Sequence, residues 1–189
     1  MALQIRIDTV DVSRLGNQIA AAGKRAPVAI ARALNHTGAQ ARTAMVKSLT
    51  AQTGLKRKTI VKALKVRKAA QKGDLSYTIW SRGGDISLKY FDPKEVRKGV
   101  SAKPFGKRSY TPMAFLKGGR KPNRVALNMG GHVYRRTSKS RTPIEMVDSG
   151  VVIPNEMISG ATEAAFYEVA QRDLADRLGH ELLRVLDGK

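Results

Sequence analysis

The sequence predicts an α+β protein, and three observations carry that prediction. Alternating apolar and polar side chains open the chain in "LQIRIDTV". Apolar or small side chains then recur at helical spacing from Pro27 to Leu49. After a middle made of short alternating runs, helical spacing returns near the end. The expected architecture is an N-terminal strand, long Ala-rich helices, a central antiparallel sheet with a long basic loop or arm, and a C-terminal amphipathic helix. With 189 residues and 42% hydrophobic content, the chain is expected to form a single domain, 1–189, with its own core.

The first strand places Leu3, Ile5 and Ile7 on one face, and Ser13 is a candidate cap for a helix after it. Pro27 suits the first turn of the next helix, whose buried face reads Ile30, Leu34, Ala41, Met45 and Leu49, with Gly54 as its stop. Alanine along this helix lets neighbours approach closely. Thr53 or Gly54 then opens a short helix, "LKRKTIVKAL", with Leu55, Ile60, Val61 and Leu64 inward.

In the middle, "LSYTIWSR", "GGD" and "ISLKYF" read as a hairpin, two alternating strands joined by a glycine turn. "EVRKGVSAKPF" and "RVALNMGGHVYRRT" are further strand candidates. The Gly/Pro/basic segment between them, about 103–124, is expected to be a loop or arm that orders only in contact with something. "TPIEMVDSGVVIP" reads as extended. Beyond Asn155 the residues Ile158, Ala161, Ala165, Val169, Leu174, Leu178, Leu182 and Val185 repeat at helical spacing to about Leu186.

Charge is the most unusual property. The net charge is +20, and the segment from Lys47 to Arg141 holds 25 Lys or Arg against four acids, whereas from Glu145 onward nine acids face four bases. No Asp or Glu occurs from Val12 through Gly73, and "TGLKRKTIVKALKVRKA" carries seven cations. Three of them fall in the first helical turn, where each opposes the helix dipole at a cost of a few tenths of a kcal/mol, roughly. Such a chain needs an anionic partner: nucleic acid, an acidic protein, or the acidic end of another copy. The candidate DNA-facing or subunit-contact cations are Lys56, Arg57, Lys58, Lys62, Lys65, Arg67, Lys107, Arg108, Arg120, Lys121, Arg135 and Arg136. The candidate acidic inter-subunit residues are Glu163, Glu168, Asp173 and Asp176, on the polar side of the last helix with Glu156 and Glu181.

Enzyme chemistry finds little to stand on. Without cysteine there is no disulfide, thiolate nucleophile or thiolate metal site. His36, His132 and His180 fall in three different elements without ligand spacing, "GGD" and "NMGGH" read as turns and not phosphate loops, and the "SKS" of Ser138 to Ser140 is unspecific. No catalytic residue, metal or cofactor is assigned. No apolar run approaches the roughly 18 to 20 residues that span a bilayer, and the opening residues lack the order of a signal peptide, so a protein made and folded in a cytoplasm, with no membrane partner, is expected. Eight of the ten aromatics lie in the basic middle, chiefly as expected core; phosphate binding there would be salt-dependent and indifferent to sequence.

The order of segments carries a resemblance. The run "ARALNHTGAQARTAMVKSLTAQTGLKRKTIVKALKVRKA", then "YTPMAFLKGGRKPNRVAL", then "HVYRRTSKSRTPIEMVDSGVVIPNEM" before a terminal helix resembles the minor tail protein Z family of lambda-like tailed bacteriophages, from about Ala26 to Leu183. The resemblance implies a non-enzymatic virion protein that completes the head-proximal end of the tail and helps to join tail to head. It implies an oligomeric ring around the DNA channel, with other copies of itself, tail tube, tail terminator or neck proteins and genomic DNA as partners. The opening basic stretch would then be a subunit or tube contact or a DNA-facing surface; Ile60, Val61 and Leu64 on the same helix favour the protein contact slightly. The alternative, from a different class, is a free sequence-independent nucleic-acid-binding protein acting through its basic surface.

Overall fold

The computed structural model describes residues 1–6, 15–70, 73–120 and 122–188. Within them the protein is mixed helix and antiparallel sheet, an α+β architecture as the sequence predicts. Ile7, the Ser13 cap and Lys121 lie outside the described residues.

Strand β1 (Ala2–Arg6) is followed by a short helix α1 (Gly16–Ala22) and the 28-residue α2 (Ala26–Thr53). Pro27 sits in the first turn of α2, where its missing N–H costs nothing. Ile30, Leu34, Ala41, Met45 and Leu49 are all buried, as their spacing predicts. The helix ends at Gly54, whose φ of 75° is left-handed and whose N–H donates to the Thr50 carbonyl at 3.0 Å. A Cβ there would stand 2.7 Å from the Gly106 backbone nitrogen, so this turn also needs glycine for space.

The short basic helix starts later than expected. Residues 55 and 56 are not helical, Thr53 Oγ1 accepts the Leu55 N–H at 3.3 Å, and α3 spans Arg57–Ala63. Leu64, expected on the inward face of that helix, is already in strand β2 (Leu64–Arg67).

The expected hairpin does not form. Strand β3 (Ser76–Ser81) is the centre of an antiparallel sheet ordered β1-β3-β2, whereas 86–88 joins 147–151 through the Ile86 N–H to the Val151 carbonyl (2.9 Å), the Leu88 N–H to the Val147 carbonyl (3.2 Å) and the Ser149 N–H to the Ile86 carbonyl (3.0 Å). The physical reason is burial. Five of the six residues of β3 are buried, so the strand needs a partner on each edge, and the chain supplies one from the N-terminus and one from after α3. "GGD" therefore bridges two sheets, and the Asp85 carboxylate accepts the backbone N–H groups of Ser149 and Gly150.

Beyond it, β4 (Lys94–Val96), β5 (Gly99–Ala102) and β6 (Ser109–Pro112) form a second sheet in that order. Strands β7 (Ala114–Phe115), β8 (Lys117–Gly118), β9 (Val125–Ala126), β10 (Tyr134–Arg136) and β11 (Ile144–Met146) complete a sheet ordered β11-β10-β7 and a two-stranded β8-β9 ribbon. The basic interval 103–124 thus contains three strands paired within the chain, where an arm awaiting a partner was expected. Arg124 fastens it by donating to the Glu95 carboxylate and the Lys117 carbonyl.

The terminal helix is two. Helix α4 (Ile153–Met157) ends before Ser159, and α5 (Gly160–Leu186) restarts at Gly160, whose φ of 59° breaks the register. The buried stripe of α5 begins Thr162, Phe166, Ala170 in place of the expected Ala161, Ala165, Val169, and rejoins the expected pattern at Leu174, Leu178, Leu182 and Val185. Helices α2 and α5 pack antiparallel: Gln52 bonds Thr162 (2.8 Å) and the Glu156 carboxylate (2.6 Å) at one end, while Arg32 approaches Glu181 at the other.

Candidate interaction surface

Pairing register divides the first sheet into two faces. Leu3 and Ile79, Ile5 and Tyr77, and Val66 and Ile79 stand opposite one another on the face that packs on α2. The other face carries Ala2, Trp80 and Lys65 in one row, then Gln4, Thr78 and Arg67 in the next. Helix α3 leads directly into this sheet, buried through Ile60, with Lys56, Arg57, Lys58 and Lys62 exposed. The exposed cations Lys65, Arg67 and Lys68 continue the strip along β2.

Of these seven, Arg67 alone has a carboxylate partner among the described residues, Asp74 at 3.0 Å. Among the described residues no acid pairs with Lys56, Arg57, Lys58, Lys62, Lys65 or Lys68. No described carboxylate therefore relieves the helix-opening charges, and their effect on α3 is unfavourable.

The other expected cations are scattered. Lys107 and Arg120 are exposed, and Arg108 donates to Ser101 Oγ at 3.1 Å. Arg135 is neutralised by Glu145, its partner directly across the β10–β11 pair. Arg136 lies 5.8 Å from the centre of the Phe115 ring. Among the described residues the structure thus does not bring the expected cations together; it assembles the α3–β2 group and distributes Lys107, Arg108, Arg120, Arg135 and Arg136 over the central sheets.

The acids of α5 are largely occupied within the chain. Arg172 holds Asp173 at 2.6 Å, and that hydrogen bond, helped by the charges of Arg172 and His36 against a smaller opposing effect of burial, keeps the Asp173 carboxyl below the usual range. Asp176 has an interaction of its own. Glu181, read from the sequence as a polar-face acid, is 1% exposed and bound by Arg177, with Arg184 at 3.6 Å and Arg32 at 3.9 Å. Glu163 is half-buried and Glu168 exposed, so of the four expected inter-subunit acids these two are the least committed. A groove of about 640 Å³ between α2 and α5, lined by His36, Gln40, Lys47, Val169 and Arg172, ends at the Asp173 pair.

Three residues that the sequence separates form a hydrogen-bonded row: Ser87 Oγ to His132 Nδ1 at 2.7 Å, and His132 Nε2 to Lys89 Nζ at 2.8 Å. An ammonium group only donates, so Nε2 accepts and Nδ1 must carry the proton that it gives to Ser87. That polarity is the reverse of a nucleophile–base pair, in which the ring accepts the hydroxyl proton.

Large apolar side chains also reach solvent, and they gather in the central sheets. Val96, Gly99 and Pro112 stand opposite one another across β4, β5 and β6, with Tyr110 on the same face and 51% exposed. Met113 is 60% exposed and holds a left-handed φ of 60°, a conformation disfavoured for a residue with a Cβ, while Val125 is 67% exposed. Neither the spacing nor the composition of 103–124 disclosed this surface, because it is made by pairing between short strands.

No protein-family model matches the chain, and no curated protein or solved structure matches it. Among the described residues no helix is long and apolar enough to cross a membrane.

Proposed function

We propose that the protein is a structural, non-enzymatic component of a phage virion that completes the head-proximal end of the tail and helps to join tail to head. In this reading it acts as a ring of identical subunits around the DNA channel, against tail tube, tail terminator or neck proteins. It assembles in the host cytoplasm and requires no cofactor. The observation that carries the reading is the α3–β2 strip, six exposed cations without a carboxylate partner among the described residues, on a chain whose central sheets also present Val96, Tyr110, Met113 and Val125 to solvent. A subunit of a DNA-lined ring requires a polyanion-facing surface and an apolar contact surface at once.

The test is electron microscopy of particles from a phage with a stop codon in this gene. Filled heads beside separate tails, or attached but non-infectious tails, are the expected result; normal infectious particles would overturn it. The second reading, a free nucleic-acid-binding protein, is favoured by the same unpaired cations, and it requires tight binding by the lone subunit with a steep salt dependence.

A further inference from the structure

On the face of the first sheet opposite Tyr77 and Ile79, where Ser76 and Thr78 are buried, the end of β3 sets the chain's one tryptophan beside cations. Trp80 stands directly between Ala2 and Lys65 in the three-stranded register, half-buried, and the Arg82 guanidinium lies over its ring, 5.0 Å from the centre, so that a base stacking on that face takes the place Arg82 holds as Arg82 turns to a phosphate. From Lys65 the cations continue along the chain into α3 at Lys62, Lys58 and Arg57, all exposed. An aromatic ring set among unpaired cations matches a ligand that alternates anionic groups with flat rings.

We propose that this face binds single-stranded nucleic acid, with phosphates on Lys65, Arg82 and the cations of α3 and a base stacked on Trp80. A second copy of the chain has seven of its fifteen acids engaged internally: Asp74, Glu95, Glu145, Asp173 and Glu181 are held by its own arginines, Asp85 caps backbone N–H groups, and Glu156 is bonded to Gln52. With acids such as Glu163 and Glu168 it would meet this face only as an acidic protein does. An acidic protein would satisfy the cations but leaves the placement of Trp80 among them unused. In a duplex the bases are already stacked on one another, so the indole selects an unpaired strand. The inference goes beyond the ring reading and concerns the lone subunit, so it stands or falls whether or not rings form.

Because Trp80 is the only tryptophan, its fluorescence reports this face alone. The probe is a labelled oligothymidylate of about 12 nucleotides, within the site sizes such surfaces use. Tryptophan quenching should saturate at the same concentration as the rise in label anisotropy, and both should weaken steeply with salt. Trp80→Ala should lower affinity about tenfold, Trp80→Phe should retain most of it, and Lys65→Glu with Arg82→Glu should abolish measurable binding, each measured well below a thermal transition that stays cooperative. Lys98→Glu, in the turn between β4 and β5, should change affinity less than twofold, roughly the effect of one screened distant charge. Anisotropy without quenching, or an undiminished affinity in both Trp80→Ala and Trp80→Phe, would overturn the assignment of the site. Equal affinity for polyglutamate, or tighter binding of a duplex of the same length, would overturn the stacking of an unpaired base. Failure of these tests leaves the particle morphology of the stop-codon phage unaffected, so the two readings fail separately.

Discussion

Gly38, in the middle of α2, lies directly against the ring of Tyr77 on β3: a Cβ on residue 38 would stand 2.3 Å from the ring's Cγ and Cδ1 atoms. This contact sets how closely the longest helix approaches the first sheet. Glycine inside a helix costs roughly 0.5–1 kcal/mol relative to alanine, so propensity alone predicts that Gly38→Ala stabilises the protein. Overpacking a buried contact costs about 1–3 kcal/mol, and at 2.3 Å from a ring held at 2% exposure the steric effect wins. Gly38→Ala should therefore lower the urea midpoint, and adding Tyr77→Leu should recover part of the loss. A variant as stable as the parent would show that the helix can shift outward freely.

The same phenol makes stability depend on alkaline pH. Burial raises the Tyr77 ionisation above its ordinary 10.0, while the nearby Arg42 charge pulls it down by less. The folded state therefore holds this proton more tightly than the unfolded chain. The contribution is complete below pH 10.0 and is lost as pH rises through the higher folded value. Tyr77→Phe should flatten the fall of the urea midpoint above about pH 10 and remove the late-titrating fraction of tyrosine absorbance. Identical slopes in the two proteins would assign the alkaline loss elsewhere.

What was legible in the sequence follows from the range of the interactions. The buried face of α2 and its stop at Gly54 rest on local spacing and on one left-handed residue, and both are visible in the chain. The stripe of α5 was shifted at its start because Gly160 restarts the helix, and a helical period does not show where it is interrupted. The pairing of β3 with β1 and β2 was hidden because a glycine pair between two alternating runs looks the same whether it turns a hairpin or links two sheets. Of the basic residues, composition located the α3–β2 group as a block. That Arg135 is neutralised by Glu145, Arg67 by Asp74 and Glu181 by three arginines depends on partners brought across strands and helices. The indole of Trp80 beside Lys65 depends on register in the same way.

Glu181 yields a prediction about order and not only magnitude. Its carboxylate is 1% exposed and its Oε2 makes no hydrogen bond, while its partners Arg177, Arg184 and Arg32 keep 29%, 47% and 47% of their side-chain surface in water. Removing Arg177 strands most of a buried charge, which costs about 2–4 kcal/mol. Replacing the acid by leucine fills the space with apolar volume and leaves the arginines free to turn to solvent, a change of roughly 1 kcal/mol or less. Arg177→Ala should thus destabilise more than Glu181→Leu in urea unfolding. The reverse order would mean that the carboxylate, and not its burial, dominates the packing of α5 on α2.

Charge reversal at the start of α3 should separate stability from function. Arg57 and Lys58 are exposed, have no carboxylate partner among the described residues and sit where the helix dipole is positive, so as cations they work against the element that carries them. Arg57→Glu with Lys58→Glu turns two unfavourable dipole contacts into favourable ones, a gain of about 0.5–1 kcal/mol at low salt. Ile60, the buried anchor of the helix, is untouched. The thermal transition should hold or rise, while assembly into particles or retention of DNA falls. Salt should shrink the stability gain, since the charges are fully in water. Loss of the thermal transition would show that these side chains serve the fold itself, and undiminished assembly and DNA retention would remove the α3 strip from the partner surface.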